Sequence, residues 1–311
     1  MNRIVFFMVL TVFGFEGTCQ KKLDSLRFPS LNGQKMITLS SMRSAFNNSQ
    51  AYVNLELGYS SIYSTPGISI GDSLLTQLTN ELLYTRLSFV YQQRIKDWVS
   101  FYTRMEYGAR VGTGVEAVLT EGINTIISSE FGVNFKISEG QKHRLSGYLK
   151  LNNAEVEFVN VRKFIVDIIE DNPYAAVKQK VPVLNAGGGI AFSSIPFPFL
   201  AWHLDSHIGY GETLERGADS FLYFIASNFD LKTDDWLNIP LSIGFGGSVS
   251  NNVGIYSLEG TYTSTMNVKL NYTGSEDFAI SLEGYSGRTP VALETFHVGV
   301  AGFQINCLFH F

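Results

Sequence analysis

Residues 83–112 read LYTRLSFVYQQRIKDWVSFYTRMEYGARVG and contain two runs in which apolar and polar side chains alternate. Residues 94–97 (RIKD) form a short polar link between the runs. Within residues 83–93 and 98–112 every charged side chain lies at an even-numbered position, and the odd-numbered positions are mainly Leu, Phe, Val and Tyr. Successive side chains of a strand point to opposite faces. The stretch therefore predicts a hairpin of two antiparallel strands, with one apolar face and one face that carries the charges.

The same alternation recurs along the chain and predicts an all-β fold. Residues 52–59 and 187–193 are the weakest of these segments, and residues 187–193 are glycine-rich and short. With the opening pair, the segments predict a transmembrane antiparallel up-and-down β-barrel of about twelve strands, within a range of about 10–14. The ten further predicted strands are residues 52–59, 127–137, 145–152, 187–193, 202–210, 221–231, 239–249, 266–272, 278–285 and 303–311.

The composition also favours strands that contact lipid. Charged residues make up 16 % of the chain, below the roughly 25 % of ordinary soluble domains. Aromatic residues make up 14 % and the mean hydropathy is +0.08. Past the N-terminus there is no run of the roughly 18 apolar residues that a membrane helix needs. A soluble β-sandwich is the alternative, but its outer face would carry Lys and Glu instead of Phe, Ile and Leu. The net charge of -5 argues against a nucleic-acid partner.

The N-terminus predicts export. Arg3 is followed by the apolar residues 4–15 (IVFFMVLTVFGF), and Gly17 and Cys19 supply small residues before a cleavage site. Residues 1–19 are therefore predicted to be a signal peptide. A membrane anchor and a lipoprotein acylated at Cys19 are the alternatives. Residues 51–311 are predicted to form the barrel, and residues 20–50 to form a periplasmic N-terminal tail or a plug inside the lumen.

The connections between predicted strands alternate in length. Short links are expected at residues 94–97, 138–143, 195–198, 232–237 and 274–276, and longer ones at 60–80, 112–124, 159–183, 212–218, 250–260 and 286–294. This is the pattern of short periplasmic turns and long outer loops. Residues 159–171 (VNVRKFIVDIIED) are expected to form a lid over the pore or a loop packed on the barrel rim.

The C-terminal segment carries the most specific motif. Phe303, Ile305, Cys307 and Phe309 alternate with polar residues, and the chain ends in Phe311. This resembles the terminal strand of bacterial outer-membrane β-barrel proteins. The resemblance implies a location in the outer membrane, contact with its lipids, and the barrel-assembly machinery as a partner that reads Phe303, Phe309 and Phe311. It is a likeness to a class and does not single out one family.

Charged and imidazole side chains on the polar faces are the candidate site residues. A barrel of about eight strands is filled by side chains, and one of about 16–18 encloses an open channel. Twelve strands predict a narrow lumen, whose lining could select solutes by charge or consist of paired, structural charges. The predicted lumen-lining residues are Arg86, Arg104, Glu106, Arg110, Glu130, Lys150, His203, Asp205 and His207.

These features predict a narrow channel or transporter for small or hydrophobic solutes, without a cofactor. The alternative is a non-conducting barrel that serves secretion, adhesion or surface assembly, with an exported protein as its partner. An outer-membrane hydrolase is a further alternative, but no catalytic residue or metal site is predicted. His203 and His207 would lie about 13 Å apart on one strand face, too far to share one metal ion. Asp234 and Asp235 form an acidic pair but fall in a predicted periplasmic turn.

Overall fold

A computed structural model describes the chain in sections. They are residues 29–32, 34–61, 68–70, 73–76, 81–112, 123–159, 168, 178–212, 219–233, 238–251, 262–275, 277–290 and 297–311. Within them, twelve antiparallel strands form one closed barrel. No helix in these sections is long and apolar enough to cross a membrane. The predicted fold class is confirmed.

The barrel strands follow one another around the wall in chain order. They are β1 (Gln50–Ser61), β2 (Glu81–Lys96), β3 (Val99–Gly112), β4 (Ile123–Glu139), β5 (His143–Val159), β6 (Lys178–Phe197), β7 (Leu200–Glu212), β8 (Asp219–Lys232), β9 (Leu241–Ser250), β10 (Thr263–Tyr272), β11 (Phe278–Pro290) and β12 (His297–His310). Two short ladders lie outside the barrel sheet, Ser30–Leu31 with Gln34–Lys35 and Ile68–Ile70 with Ser73–Thr76.

Closure is made by the first and last strands. Strand β12 pairs with β1 from Gly299 opposite Ser61 to His310 opposite Gln50. Each other strand pairs with its two sequence neighbours, so the sheet has no free edge. An unpaired backbone amide in hydrocarbon costs several kcal/mol, roughly, and only a closed sheet avoids that cost.

The two faces of the wall have opposite chemistry. In β1, Val53, Leu55 and Leu57 point outward and are 37–45 % exposed, whereas Asn54 and Glu56 point inward and are 3–7 % exposed. The same alternation continues through the other strands, so the outer face is apolar and the buried interior is mainly polar. This reverses the arrangement of a soluble protein and suits a surface in contact with acyl chains.

Aromatic side chains gather near both ends of the outer face. At the end that carries the short turns, Tyr91 stacks on Phe311 at 5.7 Å and Phe197 on Phe199 at 5.8 Å between ring centroids. At the opposite end Tyr210 packs on Phe221 at 5.1 Å. Two such bands are typical of barrels whose ends lie at the membrane–water interfaces.

Four inward tyrosines each lie over a glycine of the neighbouring strand. Tyr84 is opposite Gly58, Tyr102 opposite Gly132, Tyr148 opposite Gly189 and Tyr285 opposite Gly302. A Cβ added at Gly189 would lie 2.7 Å from the Tyr148 ring. The glycines thus provide the space that the rings occupy inside a narrow barrel.

Several predicted strand boundaries were wrong, and two of them have a clear physical reason. The short predicted strand 187–193 is the middle of β6, which extends to Lys178 because residues 178–186 continue to pair with β5. The loop predicted at 159–183 is therefore shorter, residues 160–177. Strand β9 was expected from Ile239 but begins at Leu241, since Pro240 has no amide hydrogen to donate to a ladder.

The predicted alternation of connection lengths holds with one exception. The connections at one end, the short-turn end, are residues 97–98, 140–142, 198–199, 233–240 and 273–277, and those at the other, the long-loop end, are 62–80, 113–122, 160–177, 213–218, 251–262 and 291–296. The exception is residues 233–240, which outnumber residues 213–218 and 291–296. Asp234, Asp235 and all of residues 159–171 except Val159 and Ile168 lie outside the described residues.

Candidate functional site

Residues 34–49, here called the lumenal segment, run inside the barrel. The segment starts at the short-turn end, where the Lys35 Nζ donates to the carbonyls of Thr273, at 2.6 Å, and Ser275. It rises to a turn at Ser40–Met42, where the Met42 amide donates to the Leu39 carbonyl at 3.0 Å. It then returns to the short-turn end, where the Arg94 amide of β2 donates to Ser49 Oγ.

Several barrel side chains donate hydrogen bonds to backbone carbonyls of the lumenal segment. The Gln92 Nε2 donates to the carbonyls of Phe46, at 2.7 Å, and Asn48, at 3.0 Å. The Ser146 Oγ donates to the Ala45 carbonyl at 2.6 Å, and the Lys269 Nζ donates to a carbonyl further back in the segment, that of Ile37. Inward polar residues of well-separated strands thus supply hydrogen bonds to the backbone of residues 36–49, which belongs to no strand.

Apolar side chains of the segment fill the narrow interior. Leu39 and Met42 form a buried cluster with Ala226 of β8, against which Phe224 packs. Phe46 belongs to a second buried cluster, which includes Tyr148 of β5. These contacts hold the segment in one position in a lumen that is otherwise mainly polar.

Arg43 is the charged residue near the top of the segment. Its guanidinium forms an ion pair with Glu130 of β4 and lies 3.6 Å from the centroid of the Tyr102 ring. Its backbone amide donates to Asp205 Oδ2 of β7 at 2.8 Å. Burial lowers the pKa of Arg43, but Glu130, Tyr102 and Tyr52 together raise it by more, so the net pKa lies above the usual value. Arg43 is therefore a permanent cation that joins three parts of the wall.

A cavity of about 490 Å³, here called the vestibule, lies above the lumenal segment. Residues 40–43 form its floor, and it extends to residues at the long-loop end such as Glu212, Ser250 and Thr263. On the other side of the segment the described residues enclose a second cavity of only about 50 Å³. The segment therefore separates a solute-sized space at the long-loop end from the short-turn end.

Eight of the nine predicted lumen-lining residues contact the vestibule. Arg104 pairs with Glu106 at 2.7 Å, Lys150 with Glu130 at 3.4 Å, and Arg86 with Glu56 at 3.6 Å. The cavity is therefore lined by opposite charges that largely pair with each other. The eight residues are Arg86, Arg104, Glu106, Arg110, Glu130, Lys150, Asp205 and His207.

Asp205 and His207 are tied to β5. The Tyr148 hydroxyl donates to Asp205 Oδ1 at 2.7 Å and lies 3.2 Å from His207 Nδ1. The Nε2 of the same imidazole lies 2.9 Å from Lys150 Nζ. Asp205 therefore accepts hydrogen bonds both from the barrel wall and from the lumenal segment, and it fixes one relative to the other.

His203, the ninth candidate, lies closer to the short-turn end and is fully buried. Its Nδ1 is 3.0 Å from Ser193 Oγ and its Nε2 is 3.3 Å from Asp230 Oδ2. Lys269 Nζ is 3.0 Å from the same carboxylate oxygen. Because Ser193, His203 and Asp230 are all buried, this chain of contacts joins β6, β7 and β8 away from the vestibule surface.

Several charged residues of the interior network are absent from the predicted set, among them Asp230. Glu56, Lys269 and Glu283 each stand on the polar face of a predicted strand, so their charge was the available signal. Arg43 lies in a stretch without period-two alternation, and no local pattern points to its partners Glu130 and Asp205. No group of three or more His, Cys, Asp or Glu that could hold a metal ion occurs in the described sections.

The predicted assembly residues lie on the outer face of the last strand. Phe303 and Phe309 are exposed there, and Phe309 packs on Phe278 at 5.0 Å between ring centroids. The ring of Phe311 stacks on Tyr91 of β2.

The fold is that of outer-membrane β-barrels. No protein-family model matches the sequence, and no curated protein matches it. An outer-membrane channel from Pseudomonas putida F1 is similar in structure, with a TM-score of 0.50, 10 % identity, and coverage of 89 % of this chain and 100 % of the channel. The β domain of the Bordetella autotransporter BrkA has a TM-score of 0.50 and 8 % identity, covering 85 % of this chain and 100 % of that domain.

Proposed function

We propose that the chain is a narrow outer-membrane channel for small solutes, and that the lumenal segment closes it. The observation that carries this proposal is the vestibule, a 490 Å³ space that reaches the long-loop end and stops at residues 40–43 of the chain itself. The apolar outer face and its two aromatic bands support placement across a membrane. The fold it shares with a Pseudomonas putida outer-membrane channel is consistent with the same class of function.

The contacts of the lumenal segment favour reversible closure. Several of its polar contacts are single hydrogen bonds from barrel side chains, such as Gln92 and Ser146, to backbone carbonyls. Water can replace each of them, so the net stabilisation is only about 0.5–1.5 kcal/mol per bond. Displacing the segment toward the short-turn end would join the vestibule to that end and open a continuous path.

A second candidate function is secretion. The observation that favours it is that the lumen accommodates a stretch of polypeptide that enters and returns, residues 34–49, with its carbonyls bound by the wall. The fold shared with the β domain of a Bordetella autotransporter is consistent with this role. In this case the polypeptide inside the lumen is the secreted protein or a part of it that remains there, and the barrel does not pass small solutes.

Conductance in planar lipid bilayers tests the first proposal against the second. We expect the full mature chain to show brief openings, and a variant that lacks residues 29–48 to show long-lived discrete steps, since β1 begins only at Gln50. Heat-dependent gel mobility of both proteins serves as the control for barrel formation. A folded deletion variant that carries no current would exclude the channel and leave secretion as the better proposal.

A further inference from the structure

The inner wall of the vestibule contains an apolar patch where a water-filled lumen would have polar side chains. Ile126 of β4 is opposite Val156 of β5, and Ala154 of β5 is opposite Val183 of β6. All four side chains line the cavity. Toward the short-turn end, inward positions of the same strands carry polar residues such as Asn134 and Ser146. An apolar patch that lines a cavity typically marks a binding site for apolar groups.

Aromatic surface continues this apolar side. Phe224 of β8 lines the vestibule and stacks on the His207 ring, with 5.0 Å between ring centroids. Phe224 also packs against the cluster of Leu39 and Met42 in the lumenal segment. A solute that lies on Phe224 would therefore also approach the segment that closes the lumen.

A basic wall lies beside the apolar patch. Arg86 of β2 is opposite Gly108 of β3, which in turn is opposite Ile126 of β4. Arg110 is the next inward residue of β3, so its Cβ lies about 7–8 Å from that of Arg86 across the strand pair. Gly108 has no side chain, and a Cβ there would lie 2.8 Å from Ile126 Cγ2. The glycine therefore lets Ile126 pack close to the Arg86 side chain, so that the apolar patch adjoins the basic wall.

Arg86 is more accessible than the neighbouring carboxylates. The side chain of Arg86 is 45 % exposed, whereas those of Glu56, Glu106 and Glu130 are 9 %, 21 % and 13 % exposed. Glu106 and Glu130 already pair with Arg104 and Arg43. Beside Ile126, a solute would therefore meet the Arg86 guanidinium before any of these three carboxylates, and the planar guanidinium matches a carboxylate with two parallel hydrogen bonds.

From this arrangement we propose that the vestibule binds a small amphiphilic carboxylate. Arg86 and Arg110 bind its carboxylate, and Ile126, Val156, Val183 and Phe224 contact its apolar body. A volume of about 490 Å³ lies within the roughly 300–1,000 Å³ of small-molecule sites. If the chain is the proposed channel, this carboxylate is the class of solute that passes through it. Only the passage of the solute rests on that function, because binding is measured without transport.

Isothermal titration calorimetry on the full mature chain in lipid nanodiscs tests this proposal. The probes are 4-phenylbutyrate, butyrate and 4-phenylbutan-1-ol, with empty nanodiscs as the blank. We expect saturable binding of 4-phenylbutyrate, and at least tenfold weaker binding of the other two, which lack the ring and the carboxylate respectively. No saturable binding would overturn the proposal, as would equal affinity for butyrate or for the alcohol.

Variants then locate the site. Arg86→Gln and Arg110→Gln should each weaken 4-phenylbutyrate binding at least tenfold. Ile126→Asn should do the same without changing any charge, which keeps the proposal testable if an arginine variant misfolds. Lys180→Gln is the matched control, because it removes a cation near the same end that pairs with Glu155 and Glu157. Unchanged binding in a folded Arg86→Gln or Ile126→Asn variant would contradict this site. If the protein shows no conductance in the bilayer but still binds 4-phenylbutyrate, only the channel function is rejected.

Discussion

At the scale of single residues, Arg43 decides how the lumenal segment is held. It is the charged group near the tip of the segment, and it contacts β3, β4 and β7 through Tyr102, Glu130 and Asp205. The sequence placed Glu130 and Asp205 correctly on inward faces because alternation assigns a face to every strand residue. It could not reveal Arg43, since its partners lie 87 and 162 positions away in the chain.

Replacing Arg43 should loosen the segment without opening the barrel wall. Arg43→Ala leaves Glu130 with Lys150 as its remaining partner. Loss of a charged hydrogen bond and ion pair should lower the free energy that holds the lumenal segment in the barrel by about 1–3 kcal/mol. The ratio of open to closed time in bilayer recordings should then rise at least about fivefold. Arg43→Lys, which keeps the charge but loses the planar group above Tyr102, should show a smaller rise. An unchanged ratio for Arg43→Ala would show that the tip contacts do not hold the segment.

At the scale of the strands, the alternation of side chains was a sufficient signal. It located all twelve strands because successive residues face lipid and lumen in turn, and lipid favours apolar side chains whereas the lumen favours polar ones. It failed at boundaries, for example at Pro240, where backbone hydrogen bonding and not side-chain polarity sets the end. It also could not choose between a tail and a plug for residues 20–50, because an irregular segment has no period, and its seat depends on residues from many strands.

The same face assignment predicts the effect of a charge on either side of one strand. Leu151, near the middle of β5, is exposed on the outer face, whereas Asn152 lines the vestibule. Leu151→Lys places a cation in hydrocarbon and should lower the free energy of unfolding by about 2–4 kcal/mol. Asn152→Lys adds the same charge opposite Glu130 and should change it much less. Guanidinium-induced unfolding in lipid vesicles measures both values. A similar loss for the two variants would argue against lipid contact on the outer face.

At the scale of the whole molecule, the barrel and the lumenal segment form one closed unit. The wall supplies inward donors at scattered positions, and the segment supplies the carbonyls, so neither part satisfies its buried polar groups alone. The vestibule is a consequence of this arrangement, since the segment fills the short-turn half of the lumen and leaves the other half open to solutes. If the barrel is the proposed channel, residues 34–49 must therefore move before any solute can cross the lumen.

A reversible disulfide between the segment and the wall tests that claim most directly. Ser146 Oγ lies 2.6 Å from the Ala45 carbonyl, so Ala45→Cys with Ser146→Cys places one thiol on each side of this contact, in a background with Cys307→Ala to remove the mature chain's predicted remaining thiol. Bilayer conductance of this variant is recorded oxidised and then with dithiothreitol added. We predict that the oxidised protein is silent and that reduction restores discrete openings. Identical currents before and after reduction, with the disulfide shown to have formed, would contradict closure by the lumenal segment.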